Sequence, residues 1–425
     1  MRSRQSSAPR WVWILLALSY LALTANYLVH QAIDFDDNWI TYRYARNLAE
    51  GRGFVFNPTD PVPTEGFTSI FHVVFTALGW RLGFDPLLLT QLTSLILLAL
   101  VPPFTLGWLR RIWPEAPVYC LIPFVLYLSA AATAWQVGSG METIFFAVGT
   151  LLLAVLAAWV TSSGATWPGI ALGLAGFALV LVRPEGGLLV AAHLALVALL
   201  GWRHGWRRSL VSLAVAGGVF GAGLLMVGIW KAKVIGSIVP NSYYVKTYGG
   251  VFGIPRESWP GMKHVIQFLA SFDFGFPQAA ILLVVLFSLR PRAAWLDPAR
   301  SLLIHLLLPT FGLLAYYTRI IHESCQFRLE FTVLLPMLAA AAVLIAAPGG
   351  SRAGSPGALR FPVPRLVGLL AACFALWMAE PWNWRHVPEV LRGRSPAAGG
   401  ILFEIGEDLK RAGLGPDLVL MTGAV

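Results

Sequence analysis

Three of the nine aspartates in this chain of 425 residues lie within four positions, as Asp34, Asp36 and Asp37. They follow the first long apolar run directly, which places a carboxylate cluster at a hydrophobic boundary. Such charges are costly to crowd or bury unless a ligand or a reaction requires them. A carboxylate beside a bound hydroxyl can remove its proton as a general base. The alternative is that the aspartates cap the positive N-terminal end of a short helix.

The polar segment after this cluster predicts a folded loop between two membrane spans. Aromatic, aliphatic and charged residues recur at mixed helical spacing from Asn38 to Glu50, which favours a short helix on the membrane surface. Gly51 and Gly53 are expected to end this helix. The loop then passes through a proline-rich turn to Glu65. The aspartates and Glu65 therefore lie at the two ends of one loop, where they could converge.

The composition indicates an all-α polytopic membrane protein. Hydrophobic residues make up 57% of the chain and charged residues 12%, with a mean hydropathy of +0.69, whereas soluble domains carry about 25% charged residues. The net charge of +10 is explained by basic residues that flank spans and set topology, so a nucleic-acid partner is not predicted. Trp11–Val29 is expected to be a retained first span whose N-terminus lies in the cytoplasm. The three cysteines are scattered and indicate neither a disulfide framework nor a metal cluster.

A hydrocarbon core of about 30 Å needs roughly 20 apolar residues per helix, and the chain offers about 11 to 13 such runs. Arg110 and Arg111 prefer the cytoplasmic side, yet simple alternation of spans places them outside. Phe67–Leu82 is therefore expected not to be an ordinary full span. The other predicted spans are Leu87–Trp108, Val118–Trp135, Thr143–Val160, Pro168–Val182, Leu188–Trp202, Leu210–Trp230, Pro277–Leu289, Leu302–Tyr317, Phe331–Ala347 and Val367–Ala379.

The sequence divides into a membrane module, residues 1–380, and a polar segment, residues 381–425. Within the module, the first outer loop covers residues 34–66 and a second polar region covers residues 231–264. The final segment carries one amphipathic helix pattern and one short apolar strand pattern. One helix and one strand cannot bury a core, so this segment is interpreted as the start of a truncated C-terminal α/β soluble domain.

Several motifs of this chain occur together and in order along the sequence. In the first outer loop they are Asp36-Asp37, Ile40 to Ala45, Asn47-Leu48, Gly51, Gly53, Val55, Asn57-Pro58 and Glu65-Gly66-Phe67-Thr68. Further along they are Ser139-Gly140-Met141-Glu142-Thr143, Arg183-Pro184-Glu185-Gly186, Pro240-Asn241-Ser242-Tyr243-Tyr244, Lys246, His322-Glu323 and Phe327-Arg328. Taken together, these motifs resemble those of the GT-C glycosyltransferases, and the match is closest to the subgroup that contains the mycobacterial terminal β-(1→2)-arabinofuranosyltransferases.

The resemblance implies an inverting transferase that moves a sugar from a polyprenyl-phosphate donor to a hydroxyl of a cell-envelope glycan or lipid. It implies a multi-pass protein of the bacterial inner membrane, with its site facing the periplasm or the cell exterior. The implied catalytic carboxylates are Asp36, Asp37 and Glu65. The implied contacts to the donor phosphate and lipid are Lys246, Tyr243, Tyr244, Asn241, Arg43, Arg183, His322 and Arg328, of which cationic side chains suit a phosphate.

The residues also leave other functions open. Asp36 and Asp37 could hold a divalent ion, but no histidine spacing completes a metal site, and no cofactor is predicted. No glycine-rich loop follows a strand, so a nucleotide site is not indicated. A transporter or flippase for a lipid-linked or anionic solute is the main alternative, because charged residues in spans also mark translocation paths. A catalytically inactive envelope assembly factor is the third interpretation.

Overall fold

The computed structural model describes residues 10–30, 36–59, 65–163, 165–201, 206–238, 262–270, 297–320 and 331–346. The predicted spans Pro277–Leu289 and Val367–Ala379 and the predicted soluble segment lie outside these ranges. A 3-10 turn, Val118–Leu121, precedes α5. In the described residues the α-helices are α1 Arg10–His30, α2 Asp36–Ala49, α3 Ile70–Arg81, α4 Pro86–Ile112, α5 Ile122–Ser129, α6 Ala131–Gly138, α7 Thr143–Ser163, α8 Thr166–Val182, α9 Gly186–Gly201, α10 Trp206–Val234, α11 Met262–Ala270, α12 Asp297–Ile320 and α13 Leu334–Ala346.

Four of these helices, α4, α7, α10 and α12, are long and apolar enough to cross a membrane. The helices α5 and α6 meet at a bend of 61° and pass the same test as a pair, which gives up to five spans in the described residues. Five other described helical segments are apolar but shorter. The chain is therefore a multi-pass membrane protein, and the total of about 11 to 13 spans stays a prediction for the whole sequence.

Helix α3 is too short to cross a membrane by itself. It has 12 residues, and at a rise of 1.5 Å per residue it is about 18 Å long, against a hydrocarbon thickness of about 30 Å. Ser69 caps its first turn by accepting a hydrogen bond from the backbone N–H of His72 at 3.1 Å. This length agrees with the expectation that Phe67–Leu82 is not an ordinary full span.

Hydrogen bonds between α1 and α4 set the direction of the bundle. The Tyr20 hydroxyl donates to the carbonyl of Leu95 at 3.1 Å, and the Tyr27 hydroxyl donates to Oε1 of Gln91 at 2.7 Å. Because the residue number rises on α1 while it falls on α4, the two helices are antiparallel. The end of α1, the start of α4 and α2 therefore share one end of the bundle, which we call the α2 end.

The opposite end of the bundle carries a group of arginines. Helix α4 runs from the α2 end to Arg110 and Arg111, and α1 starts beside them. Helix α10 is 29 residues long, about 43 Å, and its last turns reach the α2 end. Its first residues therefore lie at the opposite end. This arginine end contains Arg10, Arg110, Arg111, Arg207 and Arg208.

The core of the bundle is apolar and close-packed. All 13 residues of α13 are buried, as expected for a helix that is apolar on every side. Large apolar side chains also cover the outside, where Leu199 is 73% exposed and Leu225 is 65% exposed. Such a surface is stable when the surrounding solvent is lipid rather than water.

A pair of histidines is buried where α7, α9 and α12 meet. The two Nδ1 atoms of His193 and His305 are 3.1 Å apart, and Nε2 of His305 lies 2.9 Å from Oγ1 of Thr161. Both histidines lie in apolar runs of the sequence, which predicts buried, hydrogen-bonded side chains, and the structure confirms that they are buried and hydrogen-bonded.

Helix α10 is held close to α8 by small residues. A Cβ atom at Gly173 would lie 2.6 Å from the backbone oxygen of Ala216, so any larger residue would push the two helices apart. Small residues commonly allow this close backbone approach between membrane helices. The contact fixes α10 in the bundle and with it the position of Lys231 at its last turn.

Candidate functional site

One face of α2 is anchored to the turn between α6 and α7. Nδ2 of Asn38 donates to the backbone carbonyl of Ser139, and the Tyr42 hydroxyl donates to the carbonyl of Gly140 at 3.0 Å. Residues 38 and 42 are one helical turn apart and therefore share a face. Gln91 of α4 donates to the neighbouring carbonyl of Gly138 at 2.9 Å. The Ser139-Gly140 motif of the sequence is thus the docking point for the first outer loop.

Gly140 is required at this docking point for two reasons. Its φ of +64° lies in the left-handed region that disfavours side chains. A Cβ atom there would also lie 2.8 Å from the Tyr42 hydroxyl and would collide with Leu87. The glycine therefore permits the close approach of α2, α4 and the turn.

The opposite face of α2 carries the aspartates and meets Glu65-Gly66. At 100° per residue, Asp36, Asp37, Ile40 and Tyr44 fall in one stripe. The Tyr44 hydroxyl accepts a hydrogen bond from the N–H of Gly66 at 3.0 Å, and a Cβ at Gly66 would lie 3.3 Å from Cγ2 of Ile40. The Glu65-Gly66 segment therefore packs against Ile40 and Tyr44 on this stripe, about one and two helical turns after Asp36.

Helix α2 starts at two of the predicted catalytic carboxylates, Asp36 and Asp37. The first residue of α2 is Asp36, whose side chain lies outside the described part of the structure. Asp37 is half-buried. Both stay predictions as catalytic groups, and the helix-start position equally fits the capping alternative.

Glu65 forms a buried ion pair with Lys231. Nζ of Lys231 lies 2.8 Å from Oε1 of Glu65, and the two residues are 5% and 4% exposed. The second carboxylate oxygen, Oε2, is buried without a hydrogen-bond partner among the described residues. Burial raises the pKa of Glu65, and the hydrogen bond and charge of Lys231 oppose that shift.

An apolar cluster surrounds this ion pair and joins α10 to the first outer loop. The ring of Trp230 lies 4.8 Å from the ring of Phe54 in an edge-to-face arrangement. Ile235, on the next turn, belongs to the same buried cluster as Tyr44 and Phe67. The cluster keeps water from the ion pair, which strengthens the electrostatic attraction between the two charges.

A second charged cluster lies where α7 begins and α8 ends. Nη1 of Arg183 lies 2.6 Å from Oε1 of Glu142, and Nη2 lies 3.0 Å from Oε1 of Glu185. Nδ1 of His72 lies 3.7 Å from the other oxygen of Glu142. Arg183 is 2% exposed and Glu142 is 1% exposed, so their charges depend on one another.

Two of the predicted phosphate contacts are engaged within the protein. Both terminal nitrogens of Arg183 contact carboxylates, as described above. Arg43 donates through Nε to the carbonyl of Phe56 at 2.9 Å and through Nη2 to Oδ1 of Asn57 at 3.0 Å. These contacts hold the turn that follows α2. Their role as contacts to the donor phosphate stays a prediction.

The other predicted donor contacts lie outside the described residues, so the structure does not place them. The sequence also predicts a cavity on the outer face lined by Asp36, Asp37, Glu65 and Lys246, and this stays a prediction because Lys246 lies outside the described residues. Among the described residues, no three histidine, cysteine, aspartate or glutamate side chains are grouped so that they could hold a metal ion. The undescribed predicted contacts are Asn241, Tyr243, Tyr244, Lys246, His322 and Arg328.

Sequence reasoning missed three residues that shape this site. Lys231 was interpreted only as the start of a polar region, although a lysine at the end of an apolar helix is a detectable signal. Asn38 and Tyr42 share a helix face that the spacing of four residues reveals. What they contact could not be known without the fold, because the Ser139-Gly140 turn is about a hundred positions away.

Comparison with solved structures finds chains of similar fold, among them ArnT and EmbB. ArnT from Cupriavidus metallidurans bound to undecaprenyl phosphate is 13% identical, and the match covers 79% of this chain and 60% of that chain with a TM-score of 0.54. The arabinosyltransferase EmbB from Mycobacterium smegmatis is 17% identical, with 81% and 32% of the two chains covered and a TM-score of 0.42. The EmbB match is too weak to support a conclusion.

No family model and no curated protein matches the sequence. The chain spans 60% of the length of the ArnT structure that it matches. The likeness to ArnT concerns the fold, and it agrees with the architecture that the sequence motifs predict. This chain is a multi-pass membrane protein whose fold is similar to that of ArnT.

Proposed function

We propose that the chain is a membrane glycosyltransferase that moves a sugar from a polyprenyl-phosphate donor to a hydroxyl of an envelope glycan or lipid. The observation that carries the proposal is the packing of the Glu65-Gly66 segment against Ile40 and Tyr44, on the stripe of α2 that begins with the aspartates. It brings two acid-bearing motifs of the first outer loop together at one end of the bundle. A fold shared with a protein bound to undecaprenyl phosphate supports the class of donor.

The proposed reaction is an in-line displacement at the anomeric carbon. The acceptor oxygen forms a bond to this carbon while the bond from the carbon to the phosphate oxygen breaks, which inverts the configuration. Asp36 takes the acceptor proton as general base, with Asp37 beside it, and Glu65 orients sugar or acceptor hydroxyls. The polyprenyl phosphate leaves with its own negative charge, so cationic contacts stabilise it. Lys246 and the other donor contacts inferred from the resemblance are proposed for this role.

Basic residues lie at both ends of the bundle, since the α2 end carries Arg43, Arg46 and Lys233, so we propose an outer-face orientation for the site from the resemblance together with the arginine end. The arginine end contains five arginines in the described residues, and positive charge beside spans marks the cytoplasmic side. The α2 end, which carries the carboxylates, is then proposed to face the periplasm or cell exterior of a bacterial inner membrane. A lipid-linked donor in the outer leaflet could reach the site from this side.

The placement of charges favours an enzyme over a transporter. Glu65, Lys231, Glu142 and Arg183 lie at the α2 end of the bundle. A translocation path is expected to place ionisable groups along the middle of the spans as well. The described groups near mid-span are the histidines 193 and 305, which are paired with each other. The sugar is proposed to be arabinofuranose, because the motifs are closest to that subgroup.

The direct test is a donor panel with the full-length protein in proteoliposomes. Synthetic polyprenyl-phosphate donors that carry radiolabelled arabinofuranose, aminoarabinose or a hexose are supplied with an acceptor glycan. Transfer from one donor supports the proposal and identifies the sugar. Movement of labelled lipid or solute across the bilayer without transfer supports the transporter, and neither activity in a folded protein supports the assembly factor.

A further inference from the structure

The contact between Lys231 and Glu65 joins two distant parts of the sequence. Glu65 ends the first outer loop, whereas Lys231 lies in the last turn of α10, and only one oxygen of the carboxylate is used in the 2.8 Å contact. Oε2 is buried without a hydrogen-bond partner among the described residues. A buried carboxylate oxygen in that state costs free energy unless a ligand satisfies it.

The surroundings fix both residues in place. Trp230, next to Lys231, packs on Phe54, and the Tyr44 hydroxyl accepts from the N–H next to Glu65. The ion pair is thus held from α10 on one side and from α2 on the other. Lys231 is the charged group that acts on Glu65 among the described residues, and Tyr44 is the titratable group that α2 places beside this segment.

We propose that Lys231 is a positioning residue for Glu65. It keeps the buried carboxylate ionised and fixes Oε1, so that Oε2 accepts a hydrogen bond from a hydroxyl group of the bound sugar or acceptor. The inference rests on the proposed function, because it assigns a ligand group to the same site. A hydroxyl satisfies Oε2 as a donor, whereas a substrate without that hydroxyl leaves the oxygen unpaired and binds less well.

A purely structural ion pair would also be lost in a Lys231 variant, so the test needs a measurement that stability alone does not change. The variant Lys231→Gln keeps a hydrogen-bond donor and removes the charge, and Lys231→Arg keeps the charge. The matched control is Arg46→Gln, which removes the cation from the exposed pair of Arg46 and Glu50 at 2.9 Å. All are compared at equal folded yield.

The first measurement is the infrared titration of the Glu65 carboxyl, assigned by difference against Glu65→Gln. Removal of Lys231 is expected to shift this titration upward by about one to three pH units, the usual effect of an opposite charge at such a distance. Lys231→Arg should restore it, and Arg46→Gln should leave it unchanged. An unshifted titration in Lys231→Gln overturns the proposal whether or not transfer is observed.

The second measurement is the pH profile of kcat/KM for transfer. Its acidic limb should move upward in Lys231→Gln by the same amount as the infrared titration. For a donor or acceptor that lacks the recognised hydroxyl, kcat/KM should be no lower in Glu65→Gln than in the wild type. If the wild type transfers sugar but the acidic limb of kcat/KM does not move in Lys231→Gln, Lys231 is only structural. If the wild type transfers nothing, the proposed function fails, and the infrared titration still decides whether Lys231 controls the charge of Glu65.

Discussion

Removal of the Arg183 guanidinium is expected to destabilise the fold strongly. In Arg183→Met, the contacts to Glu142 at 2.6 Å and to Glu185 at 3.0 Å are lost, and Glu142 remains in a site that is 1% exposed. Breaking a buried pair by removing one partner costs about 3–5 kcal/mol. The control Arg46→Met breaks an exposed pair with Glu50 and should change stability little, because water screens exposed charges.

The assay uses the buried thiol of Cys120 as a reporter of unfolding. In a background with Cys325→Ser and Cys373→Ser, Cys120 is the single cysteine of the chain, and it is 0% exposed. The denaturant concentration at which the thiol becomes reactive in detergent should fall sharply in Arg183→Met and barely change in Arg46→Met. The additional change Glu142→Gln should recover part of the loss, because it removes the unpaired buried charge.

Equal midpoints for the two arginine variants would refute the buried network. A different outcome, in which Arg183→Met keeps its stability but loses affinity for the polyprenyl-phosphate donor, would assign Arg183 to the donor site as the sequence motif predicts. The experiment thus separates the two roles of this residue.

Three further predictions concern the α2 end, two for substitutions and one for the pH dependence of transfer. Gly140→Ala should lower stability by about 2–4 kcal/mol in the Cys120 assay, since the left-handed backbone and the crowding by Tyr42 both oppose a methyl group. A loss below about 0.5 kcal/mol, the usual limit for surface substitutions, would contradict the docking of α2. Tyr42→Phe should cost about 1–3 kcal/mol in the same assay because it leaves the buried carbonyl of Gly140 without its donor; an unchanged midpoint would exclude that bond. For the wild type, kcat/KM should fall as the pH is lowered through the raised pKa of Glu65, because the ionised carboxylate is the stronger acceptor of a hydroxyl hydrogen bond. An acidic limb at or below the value of an ordinary glutamate would contradict this assignment.

The local elements at the site could largely be predicted from the sequence. The surface helix expected over Asn38–Glu50 is α2, Asp36–Ala49, and Gly51 and Gly53 follow it with φ values of +81° and +86°. The span predicted as Thr143–Val160 is α7. These predictions succeed because apolar periodicity and glycine act over short stretches of chain.

Other features could not be predicted because they depend on contacts between distant segments. The run Val118–Trp135 is apolar throughout, so its pattern gives no sign of the bend of 61° between α5 and α6. Lys231 and Glu65 come from segments far apart in the sequence, and neither has a neighbour in sequence that signals the pairing. Arg183 and Glu142 likewise meet only after α7 and α8 have packed together.

The rate of sugar transfer by the Asp36→Asn variant tests most directly the central claim that Asp36 is the general base of a glycosyltransferase. The change keeps the size of the side chain but removes its ability to take the acceptor proton. Its matched control is Asp85→Asn, which lies at the same end of the bundle and keeps the side-chain oxygen that caps α4 at Leu88. Single-turnover transfer from the active polyprenyl-phosphate donor should fall by about 10²–10⁴-fold in Asp36→Asn with donor affinity unchanged, and Asp85→Asn should retain activity. Equal transfer rates in the wild type and Asp36→Asn would contradict the account.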